Sequence, residues 1–181
     1  MQMLLDSVNR GEDGAFEKLT QAIYPELKRI AHFQLARERP DHTLSTTAVV
    51  HEAFLRLDVG HRQWAGHNHL LRAAAAAMRH LLVDHARRRQ AEKRGAGVPA
   101  ITLKEDQTAS EDQALAVLKL DHALRDMAEI DPRLQAVVEC RYFAGLSVTD
   151  TAEALGQPLR TVERDLSKAR AYLRQYLDVD G

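Results

Sequence analysis

A single cysteine, Cys140, leaves no partner for an internal disulfide, which removes disulfide-stapled scaffolds and fits a reducing compartment. Aromatic residues make up only 5% of the chain and Val/Ile/Tyr alternation is sparse, so half-buried strands have little to be built from. The longest apolar stretch, near Leu70–Met78, is short and contains Arg72, which predicts no membrane insertion. The opening residues MQMLLDSVNRGEDGAF turn polar and acidic too early for a signal peptide, and the expected location is the cytoplasm. A dominant charge sign is missing too. The net charge of −1 by itself argues against a nucleic-acid binder.

What is present is helical. Ala, Leu, Arg and Glu are plentiful, and 181 residues suffice for one medium domain or two small ones. The charge is also unevenly placed. Residues 60–95 carry eight Lys/Arg against two Asp/Glu, a net of +6, while residues 96–131 carry three against eight, a net of −5. The flanks are −2 (1–59) and 0 (132–181), so near-neutrality hides one strongly basic block.

In the first half, Phe16, Leu19, Ile23, Leu27 and Ile30 keep helical spacing, with Pro25 expected to end or kink that helix. Residues 37–41 form a turn-rich break. A second helix begins at Ser45–Thr47, buries Val50, Phe54 and Leu57, and stops at Gly60. A third runs from about Asn68 to Gln90 on Ala73–Ala77, Met78, Leu81 and Leu82. Gly95, Gly97 and Pro99, followed by the acidic run Lys104–Gln113, read as a flexible linker. Helical spacing resumes at Ala114 with Leu115, Leu118, Ala123, Leu124 and Met127, and Asp131-Pro132 opens another helix over Leu134, Val137 and Val138. The expectation is an all-α chain of two small helical domains, 1–95 and 114–181, joined by a linker at 96–113.

The last fifth carries the most specific pattern. Ser147 with Asp150 approximates a capping box, Gly156 stops that short helix, and Gln157-Pro158 makes a turn. The following helix buries Val162, Leu166, Ala169 and Leu173, and presents Arg160, Thr161, Arg164 and Lys168 near its start. A recognition helix places base- and phosphate-reaching side chains there. A solvated face of mixed charge is the alternative, since Glu163 and Asp165 lie among the cations.

The basic block ends the third helix with Arg87-Arg88-Arg89, then Lys93-Arg94. One or two arginines would complement the helix dipole; five cations point to counterion release on nucleic acid. Arg72, Arg79 and His80 extend that face. Trp64 could stack on an unpaired base, though a lone tryptophan more often serves the core. His61, His67 and His69 are close but lack a Cys pair or carboxylate ligand pattern, so neither metal nor cofactor is expected. Cys140, beside Glu139 and Arg141, has no partner base, and no catalytic residue is assigned.

In this order the elements resemble extracytoplasmic-function sigma factors of bacterial RNA polymerase, which retain only sigma domains two and four. The resemblance covers nearly the whole chain. Its strongest parts are His51-Glu52-Ala53-Phe54-Leu55-Arg56-Leu57, Leu82-Val83-Asp84-His85-Ala86-Arg87-Arg88-Arg89, Leu124 through Arg141-Tyr142-Phe143-Ala144-Gly145-Leu146-Ser147, and Thr161-Val162 through Ala169-Arg170. The string His42-Thr43-Leu44 through Leu57, with Trp64 downstream, resembles one branch of that family.

The resemblance implies a non-enzymatic role. Domain two would dock on the β′ coiled coil of core polymerase through Val50, His51, Glu52 and Leu55. It would engage the minus-ten element with Arg72, Arg79, His80, Asp84, Arg87, Arg88 and Arg89. Domain four would bind the β flap and read the minus-thirty-five element with Arg160, Thr161, Arg164 and Lys168.

Two departures stand out. Where most of the family has several carboxylates, this chain reads Ser45-Thr46-Thr47-Ala48, and Thr151, Gln157 and Pro158 replace the usual helix-turn-helix residues. The first motivates Thr47, or else Thr46, as a phosphosite restoring the missing charge; helix capping by the hydroxyls is the alternative. A Ser/Thr protein kinase, an anti-sigma factor or neither remains open as the controlling partner. The competing reading is a stand-alone helix-turn-helix regulator.

Overall fold

The computed structural model describes residues 1–35, 45–58, 63–95 and 105–178, and every element among them is helical. The turn at 37–41, residues 42–44, Gly60, His61, Gly97 and Pro99 lie outside the described residues, as do the side chains of Lys93 and Arg94.

The first group comprises α1 (Gln2–Asn9), α2 (Ala15–Leu35), α3 (Thr46–Asp58) and α4 (His67–Gly95). Leu19, Ile23, Leu27 and Ile30 form the buried stripe of α2 that their spacing predicts. Phe16, one turn earlier, stacks on Phe54 of α3 with ring centroids 4.8 Å apart. Ala74, Ala75 and Met78 of α4 are fully enclosed, the alanines allowing close approach of neighbouring helices.

Pro25 neither ends nor divides α2, which continues from Ala15 to Leu35. The proline is on the exposed face, so the carbonyl it leaves without an N–H partner can meet water. Ile23 and Leu27, each 2% exposed, anchor the helix on both sides. Tertiary packing outweighs the local penalty.

The second group comprises α5 (Glu105–Ile130), α6 (Pro132–Val138), a π-helical turn (Glu139–Phe143), α7 (Val148–Leu155) and α8 (Leu159–Asp178). Asp131 caps α6 by accepting from Arg133 N–H at 3.0 Å. Ser147 and Asp150 complete the reciprocal capping box on α7, and Gly156 closes that helix at φ 59. Helix α5 begins inside the segment read as linker. Residues 105–113 contain neither Gly nor Pro, and acidic residues there suit a helix N-terminus.

The two groups are packed together. Cys140, Ala144 and Leu146 belong to the same apolar cluster as Leu5, Leu19, Ile30 and Trp64. Smaller clusters around Leu124, Met127 and Ala169, and around Val137, Val162 and Leu166, hold the second group internally. Gln34 of α2 bridges the groups, donating to Ala75 O at 3.1 Å and Phe143 O at 3.4 Å.

Candidate nucleic-acid interface

The helix-turn-helix is built from α7, the turn after Gly156 and α8. Val162, Leu166 and Ala169 turn inward, which fixes the opposite face of α8 outward. Arg160, Arg164 and Lys168 are exposed there, with Thr161 partly so. Arg164 Nε donates to buried Asp165 at 3.3 Å, which steadies the guanidinium on the helix surface. Such a face can bring cations and hydrogen-bond donors to a duplex groove.

The long helix α4 carries the second basic face, and its cations divide. Arg88 and Arg89 are exposed near the C-terminal end. Asp84 receives Arg56 Nη2 from α3 at 3.0 Å and lies 4.0 Å from Arg87. Arg79 is only 4% exposed: its guanidinium reaches Asp121 of α5 at 2.5 Å and Glu139 of the π-helical turn at 3.2 Å. Arg87 meets the same Asp121 at 3.2 Å, and Arg72 lies 3.7 Å from Glu139. His80 Nε2 lies 2.9 Å from Arg79 Nη2. An arginine only donates, so His80 accepts as a neutral ring. Partial burial, with the Arg79 charge beside it, lowers its pKa accordingly.

Asp121 and Glu139 were not singled out from sequence. For Asp121 the signal was the opposite charge of the blocks 60–95 and 96–131, which reads as a linker property until the helices meet; Glu139 lies in the neutral block 132–181 and gave no such signal.

On α3, His51, Glu52 and Leu55 face solvent, whereas Val50 is 2% exposed and serves the core instead of an outer surface. Val49 takes the neighbouring buried position, so the inward stripe is wider than the i, i+4, i+7 pattern. Thr47 is exposed and Thr46 partly so. The cap belongs to Ser45, whose hydroxyl accepts from Ala48 N–H at 3.1 Å.

Trp64 is 3% exposed inside the first group, which settles it as a core residue in this structure. His67 pairs with Glu26 at 2.8 Å. His69 Nδ1 accepts from Ala65 N–H at 3.3 Å, and burial lowers its pKa. No group of three or more potential metal ligands occurs among the described residues. Burial pushes the Cys140 thiol up to about 12, the opposite of an activated nucleophile. Among the described residues no helix is long and apolar enough to cross a membrane.

No curated protein matches the chain. The family model described as ECF sigma factor matches residues 1–179. Two basic helical faces, one on a helix-turn-helix, thus occur in a chain matched almost from end to end, and the chain belongs to the ECF sigma factor family.

Proposed function

We propose that the chain, as a sigma factor directing transcription, divides its work between its two helical groups. The first, residues 1–95, docks on the β′ coiled coil and captures the opened minus-ten strand through α4. The second, residues 114–181, binds the β flap and reads the minus-thirty-five duplex through Arg160, Thr161, Arg164 and Lys168. The observation that carries this reading is the outward face of α8, held by a capped helix-turn-helix in a family member. The stand-alone regulator reading gives way to it.

We further propose that phosphorylation of Thr47, or else Thr46, by a Ser/Thr kinase strengthens docking. Thr47, His51 and Leu55 follow one another at four-residue spacing, and all three are exposed. The first turn of α3 contains no acidic residue, and Ser45 already supplies the cap. A phosphate at Thr47 adds about −1.5 to −2 charge beside the positive end of the helix dipole, where it is favoured.

Run-off transcription with purified core polymerase and a promoter library tests both levels. Promoter-specific transcripts, with Thr47→Glu more active than Thr47→Ala, are the expected result. Equal tight binding to core polymerase by unmodified wild type and both variants would remove the phosphosite. Silence in every modification state would remove the sigma assignment of the two faces.

A further inference from the structure

Three of the five arginines that α4 offers to an opened strand, Arg72, Arg79 and Arg87, face carboxylates of the second group, and Arg79 is buried there. Asp121 receives Arg79 at 2.5 Å and Arg87 at 3.2 Å, Glu139 receives Arg79 at 3.2 Å, and Arg72 lies 3.7 Å from Glu139. Both carboxylates belong to the second helical group, whereas all three arginines belong to the first. Asp121 and Glu139 are 4% and 6% exposed, so neither they nor Arg79 can meet a phosphate while the groups are packed.

We propose that this seam is an autoinhibitory contact. Asp121 and Glu139 occupy the arginines of α4 in place of nucleic-acid phosphates, and engagement of the opened strand requires the two groups to part. The proposal rests on reading α4 as the strand-contacting helix.

Both the energetics and the packing of the seam fit a contact built to open. A buried ion pair adds little stability over an apolar replacement, but it discriminates sharply between a partner present and a partner lost. Each arginine released from the seam regains a partner in the nucleic-acid backbone, so opening exchanges one set of charge-assisted bonds for another. The seam also contains a partly open cavity of about 80 Å³, lined by Phe33, Leu82, Val117, Leu120 and Tyr142 among others. Gln34 Oε1 and Arg79 Nε find no protein partner there. The recognition face of α8 remains exposed in the closed arrangement, so the block falls on the strand-capturing helix alone.

Cys140 is a built-in reporter. It is the sole cysteine, is 0% exposed, and belongs to the apolar cluster that spans both groups. In the free full-length chain, a small neutral thiol reagent should label it at least about a hundredfold more slowly than in the unfolded chain. The Asp121→Asn/Glu139→Gln double variant should label at least about tenfold faster than wild type at unchanged helical circular dichroism, and bind forked promoter DNA more tightly. Core polymerase with forked promoter DNA should accelerate labelling of the wild type. Labelling of the folded wild type at the unfolded rate would overturn the proposal, as would a double variant indistinguishable from wild type.

A lock provides the test should the double variant unfold. Asn68 of α4 and Glu153 of α7 hydrogen-bond across the exposed edge of the seam at 3.2 Å. Asn68→Cys/Glu153→Cys in a Cys140→Ser background, joined by a short cleavable bismaleimide, holds the groups together. Loss of forked-DNA capture with core polymerase, regained on cleavage, is expected; undiminished capture by the locked chain would overturn the proposal. Should Cys140 be shielded and released as described while core polymerase and DNA are ignored throughout, the nucleic-acid reading falls, and with it the inhibitory role; the contact itself would stand.

Discussion

Asn9 and Trp64 hold each other by reciprocal hydrogen bonds: the Asn9 amide donates to Trp64 O at 2.9 Å, and Asn9 Oδ1 accepts from Trp64 N–H at 2.8 Å. One side chain thereby fixes the backbone that leads into α4, and the indole fills the first core. Trp64→Ala should cost about 3–5 kcal/mol, as for other large buried aromatics. Asn9→Ala should cost about 1–3 kcal/mol through the two unpaired backbone groups. Urea unfolding followed by far-ultraviolet circular dichroism measures both. A Trp64→Ala loss under 1 kcal/mol would contradict the core assignment.

Pro25 is tolerated in the middle of α2 on an exposed face. Pro25→Ala restores the missing N–H donor and removes the ring clash with the preceding turn. A gain of about 1–3 kcal/mol is expected in the same unfolding experiment. No gain would mean that the helix has already relaxed around the ring.

Elements with strong periodicity were legible before the fold was known. The stripe Leu19, Ile23, Leu27 and Ile30, the Asp131-Pro132 start and the Ser147–Asp150 capping box all follow from local chemistry that acts within one or two turns. Pro25 misled because its local penalty is offset by contacts to other helices, which no short window contains. Val50 carried two expectations: its spacing with Phe54 and Leu57 put it in the core, the family resemblance put it on a docking surface, and its 2% exposure agrees with the spacing. The seam was invisible for another reason: Arg79 and Asp121 are 42 positions apart, and their pairing depends on how the two groups meet. Composition held only the complementary charge of adjacent blocks.

Asp131 links the second group to pH. Hydrogen bonds from the Arg133 side chain and then its backbone N–H lower the carboxyl from an ordinary 3.8 to about 2. A depressed folded-state value contributes stability that is complete above the ordinary value and fades as pH falls through about 2. Asp131→Asn cannot titrate. The melting-temperature gap between wild type and variant should therefore be constant above about pH 5 and close towards pH 2. A gap that persists unchanged at pH 2 would contradict the charged cap.

On α8, Arg164 combines exposure with a single steadying bond to Asp165. Arg164→Ala should weaken holoenzyme binding to a promoter duplex by about tenfold, within the range for one specific contact. It should also flatten the salt dependence by about one ion if the contact is to phosphate. Fluorescence anisotropy across a salt series separates the two. Unchanged affinity and slope would remove Arg164 from the recognition surface.

Promoter opening is tested most directly by permanganate footprinting of thymines near the minus-ten element, with core polymerase and wild type or an Arg88→Ala/Arg89→Ala variant. Reactive thymines are expected only when wild-type protein and core enzyme are both present, with the signal at least about tenfold weaker for the variant, in line with the loss of two phosphate contacts. Full reactivity with the variant would contradict the role given to α4. Failure of wild type to open any promoter in any phosphorylation state would contradict the account as a whole.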